Sequence, residues 1–316
     1  MAAETRIGLV QHPARDCSPA IGQVAAWTST HGVELIAAAD DVARLGVAGV
    51  TAVSPEELAT TSDALIALGG DGTLLGAMRL VADRPRSVPV LGVNFGRLGF
   101  LAEVEGRDLA AALEAVAEGR ATTESRSCRV VRRDGAEHFA FNDAVLARVP
   151  GAGLVRATMS VAGQPYGHYT CDALILASPM GSTAYSYAAG GPVVSPAAAG
   201  VLVTPSAPLN GISRSVFLGP AEELLLELTG GSPAVELDGV LAGRLEPGAR
   251  IEVSLRQDAG RLVRIEGSRA AARSRVKLSL LDLPLLPEDL VELLPPDVRR
   301  KVADEPGSPR AEGPTA

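Results

Sequence analysis

Gly69-Gly70-Asp71-Gly72-Thr73 places one carboxylate among three glycines. Glycine lets backbone come close to a polyanion, because no Cβ stands in the way. The stretch follows the apolar run Ala64–Leu68 and leads into helix-like sequence at Leu74–Val81. Asp71 is thereby expected at the carboxyl end of a strand, where open α/β sheets bind ligands. A helix N-terminus just beyond it favours negative charge. A carboxylate inside a phosphate-cradling loop points to chemistry on a hydroxyl, since a loop that only held phosphate would gain nothing from added negative charge. The competing reading is a Gly-Asp-Gly turn that merely closes a strand.

A second loop, Ser178-Pro179-Met180-Gly181-Ser182-Thr183-Ala184-Tyr185-Ser186, follows the apolar run Leu174–Ala177 and precedes Ala188-Ala189-Gly190-Gly191-Pro192. Gly181 permits close approach, Ser182 and Thr183 offer hydrogen bonds, and Tyr185 can stack on a base. Equally, this is a Ser/Thr-capped helix with a Gly-Gly stop. Asn142-Asp143 pairs a carboxamide with a carboxylate at a strand start, which suits gripping a hydroxyl pair but is also ordinary turn chemistry. Asp172, ahead of Ala173, either accepts a bond from an exocyclic amine or simply begins a strand.

These loops need a scaffold. Arg6–Gln11, Val33–Ala38, Ala64–Leu68 and Val88–Val93 are continuously apolar or nearly so, as strands covered on both faces are. Helices are expected from Ser18-Pro19, with serine as cap, and over Asp108–Glu118. This alternation predicts a parallel α/β domain over residues 1–120. Past Gly119 short β-like runs recur, at Cys128–Arg132, Ala144–Ala147, Val155–Val161, Ala173–Ala177, Val201–Thr204, Leu224–Leu228, Ala234–Leu237 and Ile251–Leu255. Turns are expected at Gly135, Gly163, Gly230-Gly231 and Gly260, which predicts a mostly β second domain over 121–280. Residues 281–304 are expected to hold a short helix, and the Pro/Gly/Glu-rich tail 305–316 to be disordered.

The 316 residues are 47% hydrophobic, 21% charged and only 3% aromatic, so the core must be built from Ala, Val and Leu. A net charge of −8 and a pI near 5.2 argue against nucleic-acid and anionic-membrane partners. No apolar stretch approaches the ~20 residues of a membrane span, and a secretory leader is not evident, so a cytoplasmic protein is expected. Lysine occurs only at Lys277 and Lys301, which excludes a Walker loop and a protein-kinase strand lysine. The four histidines are scattered, and Cys17, Cys128 and Cys171 have no metal spacing, so no metal-ligating set is expected.

Taken together with Asn94-Phe95-Gly96-Arg97-Leu98-Gly99-Phe100-Leu101, the ordered set of Gly69–Thr73, Asn142-Asp143, Gly181–Tyr185 and Gly190-Gly191-Pro192 resembles the NAD kinase family, from about Ile7 to about Leu255. The resemblance implies an α/β domain plus a β-rich domain with the active site in the cleft between them, and a homodimer or homotetramer. It implies Asp71 as the base acting on the adenosine-side ribose 2′-hydroxyl of NAD. Gly69, Gly70, Gly72 and Thr73 would line the phosphates of NAD and of ATP or polyphosphate. Asn142 and Asp143 would hold the nicotinamide end, and Asp172 a base or amide. Thr183, Ala184, Tyr185, Ser186 and Ala188, with Gly181 and Ser182, would form the intervening wall, and Phe100 would lie beside the adenine. Mg²⁺ would enter with the triphosphate, held by phosphates and water.

The chain departs from the family pattern at four places. Met180 replaces a threonine and would add bulk beside the nicotinamide end. Ala173 replaces a glycine, which matters if a positive φ is needed. Val240 stands where a polar residue is usual, and Leu209-Asn210-Gly211 lacks a usual histidine. Two alternatives follow: a related kinase for a lipid or sugar hydroxyl, or a non-catalytic dinucleotide-binding regulator.

Overall fold

The computed structural model describes residues 5–84, 87–95, 101–102 and 104–265. The expectations for a helix in 281–304 and a disordered tail lie outside the described residues, as do Phe100 and most of the Asn94–Leu101 loop. The first half runs β1 (Arg6–Gln11), α1 (Ser18–His31), β2 (Glu34–Ala38), α2 (Ala39–Leu45), β3 (Thr51–Val53), α3 (Pro55–Thr61), β4 (Ala64–Gly69), α4 (Asp71–Val81), β5 (Pro89–Asn94), β6 (Val104–Glu105) and α5 (Leu109–Ala117). The second half runs β7 (Ala121–Arg133), β8 (Ala136–Ala140), β9 (Asp143–Ala147), β10 (Val155–Val161), β11 (Gln164–Cys171), β12 (Ala173–Ala177), α6 (Tyr185–Ala188), β13 (Val201–Ser206), β14 (Asn210–Gly211), β15 (Val216–Leu218), β16 (Leu224–Gly230), β17 (Ala234–Leu237), β18 (Val240–Arg244) and β19 (Arg250–Ile265). The expected parallel α/β layer followed by mostly antiparallel β structure is what the chain forms. Among the described residues no helix is long and apolar enough to cross a membrane.

In the first layer the parallel order is β3-β2-β1-β4-β5. Leu65, Ile66, Leu68, Val90, Leu91 and Val93 are all nearly inaccessible, because helices cover both faces. Each such side chain contributes roughly 1.5–3 kcal/mol. One face packs α4 through Leu74, Leu75 and Met78, the other α1 and α5 through Ile21, Val24, Leu109 and Leu113. The helix at Ser18 starts one residue differently from expectation. Cys17 is the cap, but its thiol donates to Leu68 O at 3.6 Å rather than capping the helix, while the Ser18 N–H donates to Asp16 Oδ1 at 2.9 Å.

The β19 strand joins the layers. It pairs parallel with β5 near Arg261 and antiparallel with β7 and β16. Gly260 therefore is not a hairpin turn: it lies inside β19 at a register shift opposite β7, a bulge that bends one long strand. A second sheet, β15-β13-β12-β9-β17-β18, packs across the first through Leu146, Met159, Leu174, Leu176, Val203 and Leu226. The Asp134-Gly135, Ala162-Gly163 and Asp238-Gly239 turns each place two residues at positive φ, the twist that two-residue hairpins require.

Candidate active site

The strand order reverses between β1 and β4, and Gly69–Thr73 leaves the carboxyl end of β4 at that point. This is the crevice where such sheets receive ligands. The His12 N–H from the end of β1 donates to Leu68 O at 2.9 Å, closing the floor. Gly69 is glycine for packing, since a Cβ there would lie 2.2 Å from Thr73 Oγ1. Gly70 and Gly72 are different: a Cβ on either would meet nothing within 4 Å. Gly70 caps α4 and brings no side-chain acceptor to the first-turn N–H groups, which leaves the helix end suited to an anion. Asp71 is the first residue of α4 rather than a loop residue. Its Oδ1 accepts from Leu101 N at 3.0 Å and Ala102 N at 3.3 Å, so the carboxylate is held at the mouth of the crevice.

Asp143 begins β9 and is buried, and Asn142, half-buried, immediately precedes the strand. Burial, then the neighbouring charge of Asp238, pushes the Asp143 carboxyl up to about 7, with Glu236 adding to the rise and a backbone hydrogen bond from Tyr185 opposing it. The side chain that organises this pair is Asp238, which no motif in the sequence marks out. Its carboxylate is inaccessible to solvent. It accepts from Asn142 N at 2.6 Å, Phe141 N at 3.1 Å and Asp143 N at 3.3 Å, and from Arg79 Nη1 of α4 at 2.6 Å. The only sequence signal for it was Asp-Gly between two strands, which announces a turn and not where the carboxylate points.

The second glycine loop splits into two faces. Gly181 is buried against the Asn142 backbone, where a Cβ would stand 2.0 Å from Asn142 O. Ser178 Oγ donates to Phe141 O at 2.5 Å and accepts from Gly181 N at 2.9 Å. Ser182 Oγ donates to Pro179 O at 2.7 Å and accepts from Val194 N at 3.0 Å. Ser186 Oγ bonds Thr204 Oγ1 at 2.9 Å. These groups are spent on the fold. Thr183 and Ala184 are half-buried and Tyr185 and Ala188 exposed, so these four are the ones that face outward. The Tyr185 backbone hydrogen bond ties this outer face to Asp143.

Two departures lose their force. Met180 is a buried member of the cluster holding Leu74, Met78 and Phe141, so its bulk goes into the core under α4. Ala173 lies in β12, paired with Ala147 and Ser206, and does not have positive φ. Val240 and Asn210 are exposed. Asp172 is not brought to the group within one chain. Ala177 pairs with Asp143 and Ala173 with Ala147, which puts Asp172 about 17 Å along the strand from Asp143. There it forms a half-exposed ion pair with Arg148 at 2.8 Å.

The ATP-NAD kinase N-terminal domain model matches residues 23–121, and the ATP-NAD kinase C-terminal domain model matches 141–265. The chain is 36% identical to NAD kinase 1 of Streptomyces avermitilis, over 89% of this chain and 88% of that one. The chain belongs to the NAD kinase family. Another member, the NAD kinase of Ralstonia nicotianae, is 35% identical over 83% of this chain and 88% of its own length. The NAD kinase fold is shared with yeast NADH kinase, solved with NADH, at a TM-score of 0.77 and 21% identity, over 90% of each chain. It is shared also with the Archaeoglobus fulgidus NAD kinase, solved with ATP, at 0.64 and 22%, over 87% of this chain and 99% of that one.

Proposed function

We propose that this NAD kinase transfers the γ-phosphoryl group of ATP to the adenosine-side ribose 2′-hydroxyl of NAD, giving NADP and ADP, with Asp71 acting on that hydroxyl. The observation that carries the assignment of Asp71 is its place at the first turn of α4, at the strand-order reversal, beside the open backbone of Gly70 and Gly72. The bond from O2′ to the γ-phosphorus forms as the bond from that phosphorus to the β–γ bridging oxygen breaks, and the proton of the hydroxyl passes to Asp71. A carboxylate is a far weaker base than a sugar alkoxide, so the transfer is late and Asp71 acts largely by orienting the hydroxyl.

Gly70, Gly72 and Thr73, with Gly69 behind them, line the phosphates. Asn142 and Asp143 hold the nicotinamide end. Thr183, Ala184, Tyr185 and Ala188 form the exposed wall between the two, while Gly181, Ser182 and Ser186 hold that wall in place. Among the described residues no cluster of three His, Cys, Asp or Glu side chains is set to cage a metal. Mg²⁺ would arrive on the triphosphate and keep phosphate and water ligands. When bound, Mg²⁺ neutralises charge on the transferring group. We further propose a cytoplasmic enzyme that works as a homodimer or homotetramer, a mass that light scattering reads directly.

The test is NADP formation by the purified protein from NAD, ATP and Mg²⁺, with polyphosphate as a second donor arm and Asp71→Asn as control. Product from the wild type and little from the variant supports the reaction and the role together. No product, with NAD still bound in calorimetry, would make the chain a dinucleotide-binding regulator.

A further inference from the structure

We infer that Arg79 and Asp238 form a positioning pair that fixes the distance between Asp71 and the dinucleotide-holding residues Asn142 and Asp143. The inference rests on the roles just proposed for those three residues. Asp71 opens α4 and Arg79 lies eight residues further along the same helix, about 12 Å away along its axis. A helix of this length is rigid, so fixing Arg79 fixes Asp71.

Arg79 is fixed from across the molecule. Its Nη1 donates to Asp238 Oδ2 at 2.6 Å, and the Arg79 side chain is one-fifth exposed while the Asp238 side chain is fully enclosed. Asp238 stands at φ 49° and Gly239 at φ 76°. This two-residue turn between β17 and β18 directs the carboxylate inward. There the same carboxylate gathers the N–H groups of Phe141, Asn142 and Asp143. Those bonds set the backbone from which the Asn142 and Asp143 side chains project. One carboxylate thus holds the dinucleotide-gripping loop on one side and the helix of the acting carboxylate on the other.

A second contact makes α4 the common reference. Met180, from the loop that carries the exposed wall, packs in the cluster that contains Leu74, Leu75 and Met78. Among the described residues, it is the Arg79–Asp238 bond that joins α4 to Asn142 and Asp143 through a directional, charged contact. Directional contacts of this kind control small displacements that apolar packing tolerates. In-line transfer is sensitive to them, since a 1 Å error in placement costs on the order of 10²-fold in rate.

The experiment is steady-state kinetics of Arg79→Met and Arg79→Lys in both substrates, beside the wild type and with thermal unfolding of each. Arg79→Met is expected to lower kcat by roughly 10–100-fold and to raise KM for NAD on the order of tenfold, with KM for ATP unchanged. Arg79→Lys keeps the charge on Asp238 and is expected to recover most of kcat. Arg79→Met that is folded and has wild-type kcat and KM would overturn the inference, as would equal increases in both KM values or no recovery with lysine. Should Arg79→Met fail to fold, Arg79→Gln is read in its place with the same expectations, and a folded Arg79→Gln with wild-type kcat and KM would overturn the inference. A wild type that makes no NADP would instead defeat the reading of function on which this rests.

Discussion

The two glycine loops look alike as sequence and do opposite work in the fold. At Gly69–Thr73 the second and third glycines have open space around them, and the carboxylate between them is presented at a helix N-terminus. At Met180–Ala188 the glycine is pressed against the Asn142 backbone, and the hydroxyls of Ser182 and Ser186 are consumed by bonds within the protein. Glycine thus marks open backbone in one place and a tight backbone crossing in the other. What separates them is whether the missing Cβ faces a void or a neighbour.

The contrast is sharpest in catalysis. Asp71→Asn is expected to lower turnover by about 10²–10⁴-fold, the usual range for general-base assistance, while NAD affinity by calorimetry stays near wild type. Near-normal turnover would remove chemistry from the first loop.

Alanine substitutions at the glycines then separate cradle from crossing. Gly181→Ala drives a Cβ against a carbonyl oxygen that has no flexible end to move, and a loss of about 3 kcal/mol is expected in thermal or denaturant unfolding. Gly72→Ala meets nothing and replaces a helical glycine, so stability is expected to rise by about 0.4–1 kcal/mol. Its KM for ATP is nevertheless expected to rise on the order of tenfold, or about 1.4 kcal/mol, because the added methyl occupies phosphate space. The comparison breaks if the two variants change places.

A third expectation concerns Asp143, which the second loop touches through Tyr185. Its carboxyl titrates at about 7 in the fold, against 3.8 ordinarily, because it is buried beside Asp238. Between those values the folded chain holds a proton that the unfolded chain has released. The contribution of this group to stability is therefore present below pH 4 and is lost as pH rises toward 7. Asp143→Asn is expected to stabilise the protein by about 2–4 kcal/mol at pH 8 and by much less at pH 4, read as paired unfolding curves. With the carboxylate form gripping a ribose hydroxyl, wild-type KM for NAD is expected to fall from pH 6 to pH 8, and the asparagine variant to show a flat profile.

The smallest effect is expected at Ser186→Ala, which removes one buried hydrogen bond to Thr204. A loss of about 1 kcal/mol in unfolding, with kcat and both KM values unchanged, would place that hydroxyl with the fold. A change in KM for NAD at constant stability would place it with the ligand.

Much of this was readable along the chain. The apolar runs at Arg6–Gln11, Ala64–Leu68 and Val88–Val93 are strands within a residue or so, because a strand covered on both faces leaves a continuous hydrophobic signature. The segment α2-β3-α3 went unread, although Ser54 with Glu57 three residues on is a capping signature, and the Ser54 Oγ does accept from Glu57 N at 3.0 Å. Short elements such as the three-residue β3 carry too little periodicity to stand out. Gly260 was misread as a turn because a bulge and a turn use the same residue, and only the partner strand distinguishes them.

The sequence by itself determined the α/β-then-β order of the chain, the family, and the loops around Asp71, Asn142-Asp143 and Gly181, since each is written in local residue types and spacing. The tertiary structure alone decided which glycines are open, which hydroxyls are free, and that Met180 belongs to the core. It also decided that Asp238 turns inward to bind Arg79 and three backbone N–H groups 95 to 97 residues away. Such contacts leave no local pattern. They exist only when β9 and β17 lie side by side and Arg79 of α4 reaches the turn that follows β17.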